Sequence, residues 1–244
     1  MQKFLLMIVL IGMTLLFGHG PNHNRAEEAK KRGDYEGALK YSFIQLGEDL
    51  VTFGAYANET MITYGRLGIY AEKLGHYDNA LVYNLEALKI QQKILDEYDT
   101  LIATTYNNIG GVYSKLANYS EALLYFEKSL RIQELLFGKR HRTLAITHNN
   151  IAKVYRKQGK YTKALASYTA SLKIRKETLD KNDYSIALVH SNMGLVYLKQ
   201  AKYQDALDEL AHALKIRKHI FGESHSFTKK TQKNIAYIQK KMLE

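Results

Sequence analysis

The chain has 244 residues, 46% of them hydrophobic, with 19 tyrosines, one proline, no tryptophan and no cysteine. The missing cysteines exclude disulfides, thiolate metal sites and cysteine nucleophiles together, and nothing in the composition reads as a disordered linker or low-complexity segment. Thirty-five lysines and arginines against 24 acidic residues give a formal charge of +11, which favours acidic partners by long-range attraction without fixing their kind.

Residues 4–17 (FLLMIVLIGMTLLF) carry no charge, follow Lys3 and precede Gly18-His19-Gly20. The stretch is short for a membrane-spanning helix and fits the apolar core of a secretory signal with a cut after Gly20. Residues 1–20 are therefore expected to be a signal sequence, with the protein periplasmic or secreted and without a stable membrane span. An uncleaved membrane anchor and a buried first helix of a cytoplasmic protein are the alternatives.

From Asn24 onward apolar residues recur at three- and four-residue steps, and no alternating stretch is long enough for a strand, which predicts an all-α chain. Tyr35, Tyr77, Tyr119, Tyr161 and Tyr203 stand 42 residues apart, as do Ala38, Ala80, Ala122, Ala164 and Ala206. Such a period marks a repeat protein. Each period holds two helical segments, as in 143–158 and 161–179, joined by a tight turn. The turns are Leu74-Gly75-His76, Leu116-Ala117-Asn118, Gln158-Gly159-Lys160 and Gln200-Ala201-Lys202. Glycine permits the positive φ that ends many helices, and alanine at two of these sites predicts a turn that does not always need it.

In the first segment Ile151, Ala152 and Tyr155 share a face, and the small residue in the middle (Gly68, Gly110, Ala152, Gly194 or Ala236) is expected to let the second helix approach closely. In the second, Tyr161, Ala164, Leu165, Tyr168 and Leu172 form the facing stripe. Truncating Tyr161 should cost about 3–5 kcal/mol if that ring is fully buried. Each helical hairpin keeps two apolar sides, so hairpins must stack to bury them.

The order Asn-Ile-Ala-x-x-Tyr, short turn, Tyr-x-x-Ala-Leu and Ser-Leu-x-Ile resembles the tetratricopeptide repeat (TPR). The 42-residue period, Asn149-Asn150-Ile151-Ala152 and the loops Phe137-Gly-Lys-Arg-His141 and Phe221-Gly-Glu-Ser-His225 are similar to the long variety found in kinesin light chains. The resemblance covers about residues 24 to 243 and is strongest from Ala103 to Ile220. It implies a right-handed superhelical α-solenoid of antiparallel helix pairs. About five repeats would occupy residues 21–60, 61–102, 103–144, 145–186 and 187–226, with a capping helix at 227–244 expected to close the array. Arg66 replaces the asparagine, and Phe43 to Met61 lacks the regular loop, so the early repeats are expected to be distorted.

Two polar ladders share the period: Asn24, Asn108, Asn150, Asn192 and Asn234, with Arg66 in the gap, and Lys31, Lys73, Lys115, Lys157, Lys199 and Lys241. Asparagine and lysine are seven residues apart, two helical turns, and so share a face. In the family resembled here, the first helices of the pairs line a concave groove whose asparagines hold the backbone of an extended peptide. That implies backbone-holding roles for Asn108, Asn150 and Asn192; the varying neighbours Asn107, Asn149, Lys153 and Arg156 are expected to set specificity, and Lys115, Lys157 and Lys199 to meet acidic side chains, which completes the expected peptide-binding groove. The other reading is structural: the asparagines hold repeats together and the lysines are solvated ends favoured by the helix dipole.

His148 and His190 occupy a position that Tyr106 fills one repeat earlier, which marks an aromatic packing element. His212 and His219 have no acidic or histidine partner at ligand spacing, so neither metal nor cofactor is expected. There is no Gly-x-Ser-x-Gly, phosphate-binding glycine loop or His-Glu-x-x-His, and Asp99 and Asp183 fall where helix caps are needed. The tyrosines sit at core positions and are not free to stack on bases, which argues against nucleic acid. The expected function is that of a non-enzymatic protein–protein interaction scaffold binding an extended acidic peptide segment. A regulatory peptide-sensing module acting on a separate signalling enzyme, and a structural protein of envelope assembly, are the alternatives.

Overall fold

The computed structural model describes residues 21–243, and the expected signal sequence lies outside them. Eleven helices and no strand are found among the described residues: α1 (Pro21–Lys31), α2 (Tyr35–Thr52), α3 (Asn58–Leu74), α4 (Tyr77–Ile94), α5 (Thr100–Lys115), α6 (Tyr119–Phe137), α7 (Arg142–Lys157), α8 (Tyr161–Thr178), α9 (Tyr184–Lys199), α10 (Tyr203–Phe221) and α11 (Ser226–Leu243). The chain divides into two compact units, Met1–Glu121 and Ala122–Glu244.

In the first unit α1 packs on α2, α2 on α3, α3 on α4 and α4 on α5. Asp34 starts α2 by accepting a hydrogen bond from the Gly37 backbone N–H at 2.8 Å. The loop after α2 is not distorted. Gly54 takes a φ of +89° and its carbonyl accepts from Thr60 Oγ1 at 2.8 Å. Four periods later Gly222 (φ +80°) and Thr228 Oγ1 repeat the same bond at 2.8 Å. The first and last loops share this Gly and Thr, whereas the loops between them place Ile102, Leu144 and Ile186 at the threonine position. What the first loop lacks is the side-chain cap, since Ala57 stands where His141, Asp183 and His225 stand later.

In the second unit α7 packs on α8, α8 on α9, α9 on α10 and α10 on α11. Its largest core gathers Ala152, Ala164, Tyr168, Leu172, Ile186, Val189 and Met193, with Tyr155, Tyr161 and Leu165 partly buried against it. The small residue at the helix crossing does what its size predicts. A Cβ on Gly194 would stand 2.9 Å from Leu210 Cγ and 3.2 Å from the Ala206 carbonyl oxygen. Tyr161, however, is only partly buried, whereas Tyr168 is fully so. The large truncation penalty therefore attaches to Tyr168.

The tight turns share one backbone conformation. Gly75 (φ +80°), Gly159 (+72°), Ala117 (+60°) and Ala201 (+57°) are all left-handed. Each is followed by a backbone N–H that reaches back five residues: His76 to Ala71, Asn118 to Tyr113, Lys160 to Tyr155 and Lys202 to Tyr197, at 2.9–3.0 Å. This closure fixes the left-handed residue whatever its side chain. The alanines thus do not relax the turn; they adopt it under strain. Ala201→Gly is expected to raise unfolding stability by about 1 kcal/mol, read from denaturant midpoints, because the left-handed penalty of an L-residue outweighs the extra chain entropy of glycine.

Candidate functional site

The ladder residues occupy the first helices of the pairs, and each of these has a defined start. Asp99 Oδ1 accepts from the Leu101 N–H at 2.6 Å, and Asp183 Oδ1 accepts from the Ser185 N–H at 2.7 Å. His141 and His225 fill the same position and accept from Thr143 and Phe227 N–H groups at 3.4 and 3.2 Å, their rings stacked on Phe137 and Phe221. These carboxylates and imidazoles serve as caps.

In the first unit α5 carries Asn107 and Asn108, both partly buried, and ends on Lys115, which is exposed with its Nζ 6.0 Å from the Tyr77 ring centroid. In the second, α7 carries Asn149, Asn150, Lys153 and Arg156 and ends on Lys157, while α9 carries Asn192 and ends on Lys199. Lys115, Lys157 and Lys199 are thus each the last residue of their helix, where the dipole favours a cation, and each remains exposed.

The asparagines behave differently. Asn149 is only 5% exposed, and its Oδ1 lies 3.5 Å from Asn192 Nδ2, a long hydrogen bond from α9 back to α7. The first unit has the same contact in stronger form. Arg66 Nη1 bonds His23 Nδ1, again 43 residues earlier, while Arg66 Nε stands 3.8 Å from a Glu27 carboxylate oxygen. The Tyr70 hydroxyl donates to Glu27 at 3.2 Å. Burial, with the Glu27 charge and hydrogen bond, pushes the Tyr70 phenol up to about 12. So Asn149 and Asn192 join successive repeats.

Arg156 also has a structural neighbour. Its guanidinium lies beside the buried Tyr168 hydroxyl, near enough for charge and a weak hydrogen bond to lower that phenol's pKa, although neither Arg156 Nε nor the hydroxyl makes a hydrogen bond of good geometry. Burial raises the Tyr168 phenol and the Arg156 charge partly offsets it. Of the expected groove residues, Lys157 and Lys199 are exposed and Asn150, Lys153, Arg156 and Asn192 half-buried in the second unit, while in the first Lys115 is exposed and Asn107 and Asn108 are half-buried.

A buried polar seam was not anticipated from the sequence. Asp49 on α2 accepts from Thr63 Oγ1 at 2.6 Å and Gln45 Nε2 at 2.7 Å. In the second unit Gln133 Oε1 accepts from Thr147 Oγ1 at 3.0 Å, and Arg217 Nη1 donates to Thr231 Oγ1 at 2.5 Å. Each pair spans 14 residues and ties a second helix to the next first helix. Where Val189 replaces the threonine, Arg175 turns to Ser171 instead, at 3.2 Å. The signal was a polar residue at every period: Asp49, Gln91, Gln133, Arg175 and Arg217.

Histidines follow a packing role with one addition. His190 Nδ1 is 2.6 Å from a Glu209 carboxylate oxygen, and its ring lies against that of His212, tilted by 30° with centroids 5.0 Å apart, so His212 does have a histidine neighbour. No group of three His, Cys, Asp or Glu among the described residues could hold a metal. At the equivalent position burial lowers the His148 pKa, with Glu134 opposing. Below an ordinary value near 6.5 the unfolded chain takes a proton that the folded site resists, so stability is complete above that pH and falls through the lowered folded pKa. His148→Tyr, the residue at position 106, is expected to flatten this acid limb in Tm measured against pH.

The charge is unevenly placed. Residues 1–121 hold 11 basic and 14 acidic side chains, net −3, and residues 122–244 hold 24 and 10, net +14. The attraction for acidic partners belongs to the second unit.

No curated protein matches the sequence. Solved structures do, at low identity. The kinesin light chain nearly identical TPR-like repeats of Podosopora anserina share 16% identity at a TM-score of 0.69, over 82% of this chain and 95% of that one. BtubC from P. vanneervenii shares 18% at 0.67, over 90% and 84%. MamA from Desulfovibrio magneticus RS-1 shares 16% at 0.60, over 82% and 95%. These likenesses are of fold. The sequence model of the tetratricopeptide repeat matches residues 59–135, 101–177 and 143–219, overlapping windows each displaced from the last by one period, which together span most of the helix pairs described above. With that match, the chain belongs to the tetratricopeptide repeat family.

Proposed function

We propose that the protein is a non-enzymatic scaffold that binds an extended, acidic segment of a partner protein along the first-helix faces of its repeats. Tetratricopeptide repeat proteins bind protein partners, and this chain has the family's pattern. The observation that carries the acidic character is the charge of +14 in residues 122–244, together with Lys157 and Lys199 exposed at the ends of α7 and α9. Lys153 and Asn150 lie on the same face of α7, about one and two turns before Lys157 respectively. Asn150 supplies both donor and acceptor to a peptide backbone, the lysines supply charge, and no bond is made or broken.

Titration with an extended glutamate-rich peptide and its lysine-for-glutamate counterpart tests this. The acidic peptide is expected to bind, more weakly as salt rises, and the basic one not at all. Equal binding of both, or of neither, overturns the reading. We further propose that residues 1–20 direct export and are removed. No helix among the described residues is long and apolar enough to cross a membrane, and mass spectrometry of the mature N-terminus should find Pro21 first. Detection of Met1 would defeat the cleavage.

A further inference from the structure

The second half of helix α2 is apolar on two sides; in the first half the outer sector carries the exposed Glu36 and Lys40. The core side of the helix holds Ala38, Ser42, Leu46 and Asp49. On the opposite side Phe43, Gly47, Leu50 and Val51 fall in one sector at steps of four and seven residues, with Ile44 at its edge. These side chains stand in solvent, Phe43 at 60% and Val51 at 79% exposure, and a Cβ at Gly47 would meet nothing within 4 Å.

The repeats supply their own comparison. The counterparts of Gly47 are Lys89, Arg131, Lys173 and Lys215, and those of Leu50 are Gln92, Glu134, Lys176 and Lys218. Later second helices are polar at these two positions and mixed at the others, where Leu85 corresponds to Phe43 and the exposed Leu135 to Val51, whereas α2 has no polar side chain at any of them.

This patch lies where the chain leaves the uncharged stretch 4–17. His23 N–H donates to Gln45 Oε1 at 3.1 Å and Asn22 Nδ2 donates to Glu48 Oε1 at 2.8 Å, which pins the start of α1 beside the last turns of α2. Only Gly18, His19 and Gly20 separate Pro21 from that stretch, a reach of about 10 Å. Residues 4–17 have no charged side to leave in water, so a bilayer can take up the whole stretch where a protein surface would leave half of it wet. Electrostatics adds little here, because residues 21–57 hold five basic and six acidic side chains.

We propose that, in the chain carrying residues 1–20, the outer side of α2, with Phe43, Ile44, Leu50 and Val51, rests on a lipid bilayer. The contact is apolar and local to the first hairpin. It uses residues separate from those of the peptide-binding reading and stands or falls independently of it.

The chain has no cysteine, so Val51→Cys gives a single site for a polarity-sensitive fluorophore. With the full chain and uncharged phosphatidylcholine vesicles at high salt, the emission at position 51 is expected to shift to the blue. The same label at Glu177→Cys, three periods on, is expected not to shift. Adding Phe43→Glu and Leu50→Lys, both at exposed positions, is expected to abolish the shift. Vesicle binding without a shift at position 51, or no vesicle binding, overturns the proposal. A blue emission already present without vesicles overturns it too, in favour of residues 4–17 as occupant if independent of protein concentration and of a second copy if dependent on it.

Discussion

Tyr168→Ala is expected to lower unfolding stability by about 3–5 kcal/mol, the range for emptying a large aromatic from a closed core. The ring is fully buried, in a cluster built from α7, α8, α9 and α10, with Ala152, Ala187 and Met193 among its members. These helices cannot collapse into the space without breaking the close approaches set by the small residues. The hydroxyl contributes little, since it is buried without a hydrogen bond of good geometry beside the Arg156 guanidinium. Tyr168→Phe is therefore expected to be neutral or slightly stabilising, by at most about 1 kcal/mol, because a desolvated, poorly paired hydroxyl is removed. Tyr161→Ala should cost less than Tyr168→Ala, because Tyr161 stands at the edge of the same core. Denaturant midpoints of the three variants, followed by helix content, give this order. A larger loss at Tyr161 than at Tyr168 would contradict the packing described.

Reversing Lys115, Lys157 and Lys199 together to glutamate is expected to weaken capture of an acidic partner about 10–100-fold. Each exposed charge contributes about 0.5–1 kcal/mol to such contacts, and three sum to one or two decades in affinity. Each lysine also ends a helix, so the variant should lose some stability, about 0.3–1 kcal/mol per site from the helix dipole. Reversal of Lys163, Lys173 and Lys176 on α8, all exposed, changes the net charge by the same amount on a different helix. That variant should keep most of the binding. Equal loss in both would show that net charge alone attracts the partner.

The period made the helices, their pairing and the turns legible, because a residue repeated every 42 positions must serve the same packing role each time. Three things were hidden from it. Alanine at 117 and 201 looked like relief from a left-handed turn, but the five-residue backbone closure imposes that conformation on any residue. The tyrosine that repeats most strictly, Tyr161, lies at the joint's edge, while Tyr168, whose counterparts include Ser42, Asn84 and Phe126, is the one buried. The joint between Asn192 and Asn149 spans 43 residues, one off the period, so no search for equal positions could reveal it. The polar seam was visible as polarity at every period, yet its chemistry changes from Asp49 to Gln133 to Arg217, and only the threonine opposite remains.

The central claim is that an acidic segment lies on the first-helix face and not on the outer helices. Backbone amide shifts of the isotope-labelled protein, followed while an extended glutamate-rich peptide is added, locate the segment directly. The account predicts that the largest shifts fall on Asn150, Lys153 and Lys157 of α7 and on Asn192 and Lys199 of α9. Shifts confined to α8 or α10 would contradict it.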